Sequence, residues 1–293
     1  MIMPKEWTYY KSKIYPKGIY LPKEKVCISP NDRGFMFGDG VYEVIRTYKG
    51  KFYRLTCHLD RLKRSLDAVR IDYPDIDLNQ VLQELLELNK LQKGDATIYI
   101  QITRGVFKRT HTFPPQPIPP TVYIEASRFI ASSNLRSASS SGVAVITVSD
   151  FRWARCDIKA VGLLPNVLAR QQAIERGAQE AIFVRDGVVT EGTHTNVFGV
   201  KDGKVLTYPK SNYILAGITR DTVFKLCAHL QIPIIEALLP ENKLFELDEL
   251  FLAGTTVEIT PVIKVNQKLI GKGRPGEITK ILQKAFWDEI RQR

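Results

Sequence analysis

The chain has 293 residues, 44% of them hydrophobic and 25% charged, with 42 Lys and Arg against 31 Asp and Glu. That composition excludes a generally disordered or collagen-like chain, and no apolar run reaches the 18 residues of a transmembrane helix. The net charge of +11 is spread along the chain, and no zinc finger, GXXG loop or aromatic stripe accompanies it, so neither a nucleic-acid nor a membrane partner is expected.

The opening MIMPKEWTYYKSK lacks an apolar signal core and a small-residue cleavage site, which points to a cytoplasmic protein. Cys27, Cys57, Cys156 and Cys227 form no CxxC pair, and the four histidines are scattered, so no metal site and no disulfide scaffold is expected. Strand signals run from Val41 to Thr47, turn at Lys49-Gly50 and restart at Lys51-Phe52-Tyr53. Thr56 is the expected cap of a helix that places Leu59, Leu62, Leu66 and Val69 on one face. A second helix is predicted from Asn79 to Lys90, then strands Ala96 to Thr103 and Thr121 to Ala126. Between those strands lies Arg104 to Pro120, a loop with five prolines and no period, long enough to suggest a functional wall or lid.

The serine-rich stretch from Ser132 to Gly142 is the clearest change of composition, and it divides the chain into an N-terminal α+β domain (1–131), a linker (132–142) and a C-terminal α+β domain (143–293). The second part reads as strand Val143 to Val148, helix Asn166 to Arg176 ending at Gly177, and two hairpins turning through Asp186-Gly187 and Asp202-Gly203. A helix from Thr219 to His229, a strand near Ile232 to Glu236, a strand Glu249 to Ala253, a hairpin through Asn266-Gln267 and a helix from Gly276 complete it. Strict βαβ alternation is missing, as is a GxGxxG fingerprint, so the fold class is α+β without a Rossmann site.

Residue types alone offer candidates that do not yet form one site. Lys159 follows the run Cys156-Asp157-Ile158, and Glu191 and Asn196 bracket the turn TEGTHTN. Gly217-Ile218-Thr219 opens a helix, where amides and a hydroxyl suit an anion, and Thr255-Thr256 follows a strand.

The joined motifs DRGFMFGDGVYEVIRTY (32–48), HLDRL (58–62), RWARCDIK (152–159), VTEGTHTNVF (189–198), GITRD (217–221) and GTTVEITPV (254–262) resemble the fold-type IV pyridoxal-phosphate aminotransferases, a group holding D-amino-acid and branched-chain enzymes. The resemblance implies two α+β domains with pyridoxal 5′-phosphate in the cleft between them, and at least a homodimer with shared active sites. It assigns Lys159 as the Schiff-base amine, whose lowered pKa lets it move the Cα proton, and Glu191 as the carboxylate on the pyridine nitrogen. It gives Arg61, Gly217, Ile218, Thr219 and Thr255 to the phosphate and Leu215 to the ring face.

For the substrate, the D-amino-acid branch carries an RxH motif, which matches Arg109-Thr110-His111, a bidentate grip on the α-carboxylate. Tyr42, Glu43 and Tyr99 match residues of the same pocket. Departures from the family pattern at Ala160-Val161-Gly162, at Gly192 to Thr195 and at Gly254 remove no catalytic group. The implied reaction moves the amino group of a D-amino acid, with D-alanine the expected donor, to a 2-oxo acid, with 2-oxoglutarate the expected acceptor. The rival readings are a branched-chain L-amino-acid aminotransferase, an aminodeoxychorismate lyase or (R)-amine transaminase on the same scaffold, and a non-catalytic nucleic-acid-binding or scaffold protein.

Overall fold

Alternating apolar residues set the first sheet of the computed structural model, which describes residues 6–130 and 141–292. The chain folds into two compact units, Met1–Ile130 with Ile158–Gly162, and Ala131–Asp157 with Leu163–Arg293. The expected linker falls almost wholly outside the described residues, with only Ser141 and Gly142 inside them. The segment Ile158–Gly162, read from sequence as part of the C-terminal domain, belongs with the first unit.

In chain order the first unit contains β1 (Trp7–Lys11), β2 (Ile19–Pro22), α1 (Arg33–Phe37), β3 (Gly40–Tyr48), β4 (Lys51–Phe52), α2 (Leu55–Ala68), α3 (Leu78–Leu88), β5 (Ala96–Thr103) and β6 (Thr121–Arg128). The strands make one antiparallel sheet in the order β2-β1-β6-β5-β3-β4. Because side chains alternate across a strand, Val41 and Ile45 of β3, Ile98, Ile100 and Ile102 of β5, and Val122 and Ile124 of β6 share one face. Leu62 and Leu66 of α2 and Leu82, Leu85 and Leu86 of α3 pack into the same core. The opposite face carries Tyr42, Val44, Tyr99 and Gln101.

The cap of α2 differs from expectation. The helix starts at Leu55, and Arg54 sits at its cap in the left-handed region (φ 51°) with no side-chain capping bond. The first helical hydrogen bond, His58 N to the Arg54 carbonyl, already encloses Thr56. The tight return from β4, with Tyr53 N bonded to the Arg46 carbonyl, forces this earlier start.

The second unit contains β7 (Val143–Ser149), α4 (Leu164–Glu175), β8 (Glu180–Arg185), β9 (Val188–Gly192), β10 (Asn196–Lys201), β11 (Lys204–Thr207), α5 (Ile218–His229), β12 (Ile234–Glu236), β13 (Leu239–Pro240), β14 (Glu249–Gly254), β15 (Glu258–Val265), β16 (Lys268–Leu269) and α6 (Glu277–Gln292). Its mixed sheet runs β12-β11-β10-β14-β15-β7-β8-β9-β13. It curls until β9 meets β10 at Glu191 and Asn196, closing into a barrel. Val145, Ile182, Val197, Leu250 and Val262 fill its interior. Among the described residues no helix is long and apolar enough to cross a membrane.

Candidate active site

The alternation of β3 puts one charged side chain among apolar neighbours. Glu43 lies between Val41 and Ile45 on the core face and is 0% exposed. A buried carboxylate needs partners, and one face of α2 supplies them. Arg61 donates through Nε to Glu43 Oε2 (3.0 Å) and through Nη2 to Oε1 (2.7 Å), and His58 Nδ1 is 3.0 Å from Oε1. Burial alone would raise the Glu43 carboxyl, but Arg61 and His58 hold it far below the usual range. Burial lowers His58, so its ring is neutral at pH 7 and the proton belongs on Nδ1, facing the carboxylate. Glu43, expected beside the substrate, meets Arg61 and His58 with its two oxygens, because its strand position faces the helix.

A prediction follows from this burial. Glu43→Gln leaves the Arg61 charge buried without its counter-charge, and should cost about 3–5 kcal/mol of unfolding free energy at pH 7. Urea denaturation of the two proteins measures this. The lowered pKa means the wild-type advantage is full above the ordinary carboxylate range and shrinks as pH falls, so the gap should narrow in acid.

Lys159 reaches the first unit along the open edge of β3. Tyr42 N donates to the Lys159 carbonyl (2.9 Å) and Val161 N to the Gly40 carbonyl (3.1 Å), while buried Ile158 joins the core. The Lys159 amide also donates to Ser65 Oγ (3.3 Å), one helical turn beyond Arg61. The Lys159 amine stands 4.2 Å from the Tyr42 ring centroid. Among the described residues it forms no ion pair or hydrogen bond. The Tyr42 and Tyr99 rings lie 5.8 Å apart, and the Tyr99 hydroxyl donates to Gln101 (2.7 Å). One unit thus brings together Lys159, Tyr42, Tyr99, Glu43 and Arg61.

Arg109 and His111 are exposed and gather around Phe37 at the end of α1. The Arg109 guanidinium is 5.1 Å from the Phe37 ring centroid, and the His111 ring 5.8 Å. Arg104, at the start of the same loop, is buried and holds Asp39 through two donors, which makes it an anchor.

In the second unit, closure of the barrel aligns the other candidates. Glu191 is buried; its Oε1 accepts from Arg152 (2.6 Å), and its Oε2 accepts from the Leu215 amide (2.9 Å) and Asn196 Nδ2 (3.3 Å). Burial pushes Glu191 up to about 7 despite Arg152, and the nearby Asp150 charge adds to the rise. Arg152 also donates to both oxygens of Asp150, each at 2.9 Å. Glu43, gripped by Arg61 through two donors and faced by His58, stays ionised, whereas burial outweighs Arg152 at Glu191.

Asn196 ties Glu191 to the anion-binding candidates. Its Nδ2 also donates to the Leu215 carbonyl (2.9 Å), and its Oδ1 packs so closely on Gly217 that a Cβ there would fall 2.1 Å away. Gly217 is the cap of α5 and provides no side-chain cap, so the amides at Ile218 and Thr219 open the helix without one. Register pairs Asn196 with Ala253, two residues before Thr255 in the β14–β15 turn. Glu191, Leu215, Gly217, Ile218, Thr219 and Thr255 therefore converge on one end of the barrel. Sequence reasoning did not assign roles to Arg152, Asn196, His58, Arg33 or Asp39; the signal each offered was its place inside one of the quoted motifs, with Asn196 also standing at the end of the turn TEGTHTN.

The sequence model of the amino-transferase class IV family matches residues 40–265. The chain is 38% identical over 284 residues to a D-alanine aminotransferase of Staphylococcus haemolyticus, covering 96% of this chain and 99% of that one. It is likewise 38% identical to a D-alanine aminotransferase of Bacillus licheniformis, over 95% and 97% of the two chains. Among solved structures, the branched-chain amino acid aminotransferase of Escherichia coli superposes with a TM-score of 0.82 at 28% identity, covering 97% of this chain and 94% of that one. The branched-chain aminotransferase of the archaeon Thermoproteus uzoniensis with norvaline gives 0.84 at 26% identity, over 98% and 95%.

Proposed function

The chain belongs to the class IV aminotransferases, and from that premise we propose that it transfers the amino group of D-amino acids, D-alanine foremost, to 2-oxo acids such as 2-oxoglutarate. The observation that carries the choice of substrate is the near-complete match to D-alanine aminotransferases at 38% identity, against 26% and 28% for the branched-chain structures. The motif Arg109-Thr110-His111 supports it.

When bound, pyridoxal 5′-phosphate supplies an aldehyde that exchanges amines and a ring that withdraws electrons from the substrate Cα. The residues present fit that group. Lys159 offers an amine with no ion pair among the described residues, beside an aromatic face. Glu191 is a buried carboxylate whose charge, when ionised, would pair with a protonated ring nitrogen. The uncapped start of α5 at Ile218 and Thr219, the Thr255 hydroxyl and the Arg61 guanidinium have the donor chemistry a phosphate requires. Leu215, fixed through both its amide and its carbonyl, gives the ring an apolar neighbour.

Lys159 removes the proton from the donor's Cα and, in the second half of the reaction, delivers one to the acceptor's Cα. Its position relative to the carboxylate grip of Arg109 and His111 decides which face of Cα is reached, and so the hand of the product. Tyr42 and Tyr99 complete the substrate wall. The assembly is read as a cytoplasmic homodimer in which the exposed Arg109 and His111 serve the neighbouring copy's site.

Chiral analysis of the glutamate formed from D-alanine and 2-oxoglutarate tests the activity: D-glutamate supports it, and L-glutamate or no product overturns it. Arg109→Ala should raise the D-alanine KM by about 30-fold or more, the weight of a charged hydrogen-bonded pair, with cofactor content unchanged. Steady-state kinetics with absorbance of the bound cofactor checks both.

A further inference from the structure

Among the described residues, the loop that carries Arg109 and His111 is fastened by backbone pairing only at its start. Arg33 N donates to the Gly105 carbonyl (2.9 Å), Arg104 N to the Asp39 carbonyl (3.0 Å) and Phe107 N to the Asn31 carbonyl (3.1 Å). Beyond Phe107, side-chain contacts take over. Among the described residues, the single hydrogen bond reaching the stretch 108–111 from outside the loop is Arg33 Nη1 to the Thr110 carbonyl, at 2.8 Å. Thr110 is the residue between Arg109 and His111.

We propose that Arg33, braced by Asp39 and Arg104, is the latch that holds Arg109 and His111 in position for the substrate carboxylate. This rests on the reading of those two residues as the carboxylate grip. Arg33 is buried, and its Nε donates to Asp39 Oδ2 at 2.8 Å while Nη1 reaches Thr110. Asp39 is itself fixed by Arg104, through Nε to Oδ2 (2.8 Å) and Nη2 to Oδ1 (3.0 Å). Arg104 continues to the Val69 and Arg70 carbonyls just past α2, at 2.7 and 2.6 Å. The chain of contacts therefore runs from the end of the helix bearing Arg61 to the centre of the RxH motif.

Phe37 adds a second hold, because the guanidinium of Arg33 is 4.8 Å from its ring centroid and that of Arg109 5.1 Å. The guanidinium fork is needed here: one arm meets the carboxylate and another the carbonyl, and a lysine ammonium could keep the ion pair but not span both. Without the latch the loop would have to be ordered by each substrate as it binds. That penalty falls on binding and leaves the proton transfer at Cα alone, so KM rises while kcat holds.

The test uses the cofactor-loaded full chain and D-alanine kinetics for Arg33→Ala, Arg33→Lys, Arg109→Ala and the double variant Arg33→Ala/Arg109→Ala. Arg33→Ala and Arg33→Lys should each raise KM about tenfold, with kcat within about twofold. The double variant should be no worse than Arg109→Ala, because the latch acts through that residue. The proposal is overturned if Arg33→Lys restores wild-type KM, if the two effects multiply, or if kcat and cofactor content fall with KM. If Arg33→Ala does not fold, Arg33→Lys, which keeps a buried cation beside Asp39, carries the same comparison. An unchanged KM in Arg109→Ala sinks the carboxylate reading itself, whereas a raised KM there with neutral Arg33 variants sinks the latch alone.

Discussion

Lys159→Ala should abolish transamination, lowering turnover by about 10⁴-fold or more, while the protein stays folded. The size of the effect comes from losing one amine with two tasks, covalent attachment and proton transfer at Cα. The survival of the fold follows from the site. The amine forms no ion pair among the described residues, and the segment is held by main-chain bonds from Tyr42 and Val161 that alanine retains. Rapid-quench assays and thermal unfolding of the same preparation check the two halves of this statement. Residual turnover within about tenfold of wild type would remove Lys159 from the chemistry. Partial rescue by added methylamine would identify the missing function as a base.

Glu191→Gln should lower kcat by roughly 10²-fold or more, since an amide cannot keep a proton on the ring nitrogen by charge, and electron withdrawal from Cα weakens. The same variant carries a signature in the cofactor-free protein. The Glu191 pKa is pushed up to about 7 by burial, against an ordinary 4.5. A raised carboxyl favours the folded state in acid, and that contribution is lost as pH rises from the ordinary value through about 7. The difference corresponds to an order of 3 kcal/mol. Glutamine has no such penalty, so Glu191→Gln should gain stability relative to wild type between pH 5 and pH 8. Arg152 keeps Asp150 as a partner in the variant, so the comparison does not strand a buried charge. Unfolding measured across that range should show the two curves diverging; parallel curves would place Glu191 in an ordinary carboxylate environment.

Much of this arrangement was legible because it follows from local rules. The alternation of β3 and β5, the apolar stripe of α2 and the Asp-Gly turns of the barrel announce themselves through periods of two and 3.6 and through turn chemistry. The barrel-end candidates Glu191, Gly217 and Thr255 were each visible as residue types. What joins them is Asn196, through a closure between β9 and β10 that no local pattern encodes. Glu43 shows the complementary case. Its alternation with Val41 and Ile45 places it inward, yet a glutamate in a strand carries no sign that an arginine and a histidine wait on a helix 15 to 18 residues later.

The remaining gaps have similar causes. Strands β1 and β2 lie in a polar, lysine-rich segment without clear alternation, and α1 is only five residues long, too short for a helical period to register. Segment 158–162 joins the first unit through main-chain bonds to β3, which depend on backbone donors and not on side-chain identity. Sequence patterns report which face of an element is apolar; they say little about which distant backbone edge it will meet.

Action on D-amino acids through Lys159 is open to a half-reaction, in which the cofactor-loaded enzyme, without acceptor, is mixed separately with D-alanine and with L-leucine and the long-wavelength absorbance of the bound cofactor is followed. Rapid loss of that absorbance with D-alanine, and none with L-leucine, is the predicted result. Loss with L-leucine alone would leave the fold and the amine in place and contradict the assignment of Arg109 and His111 as a D-selective carboxylate grip.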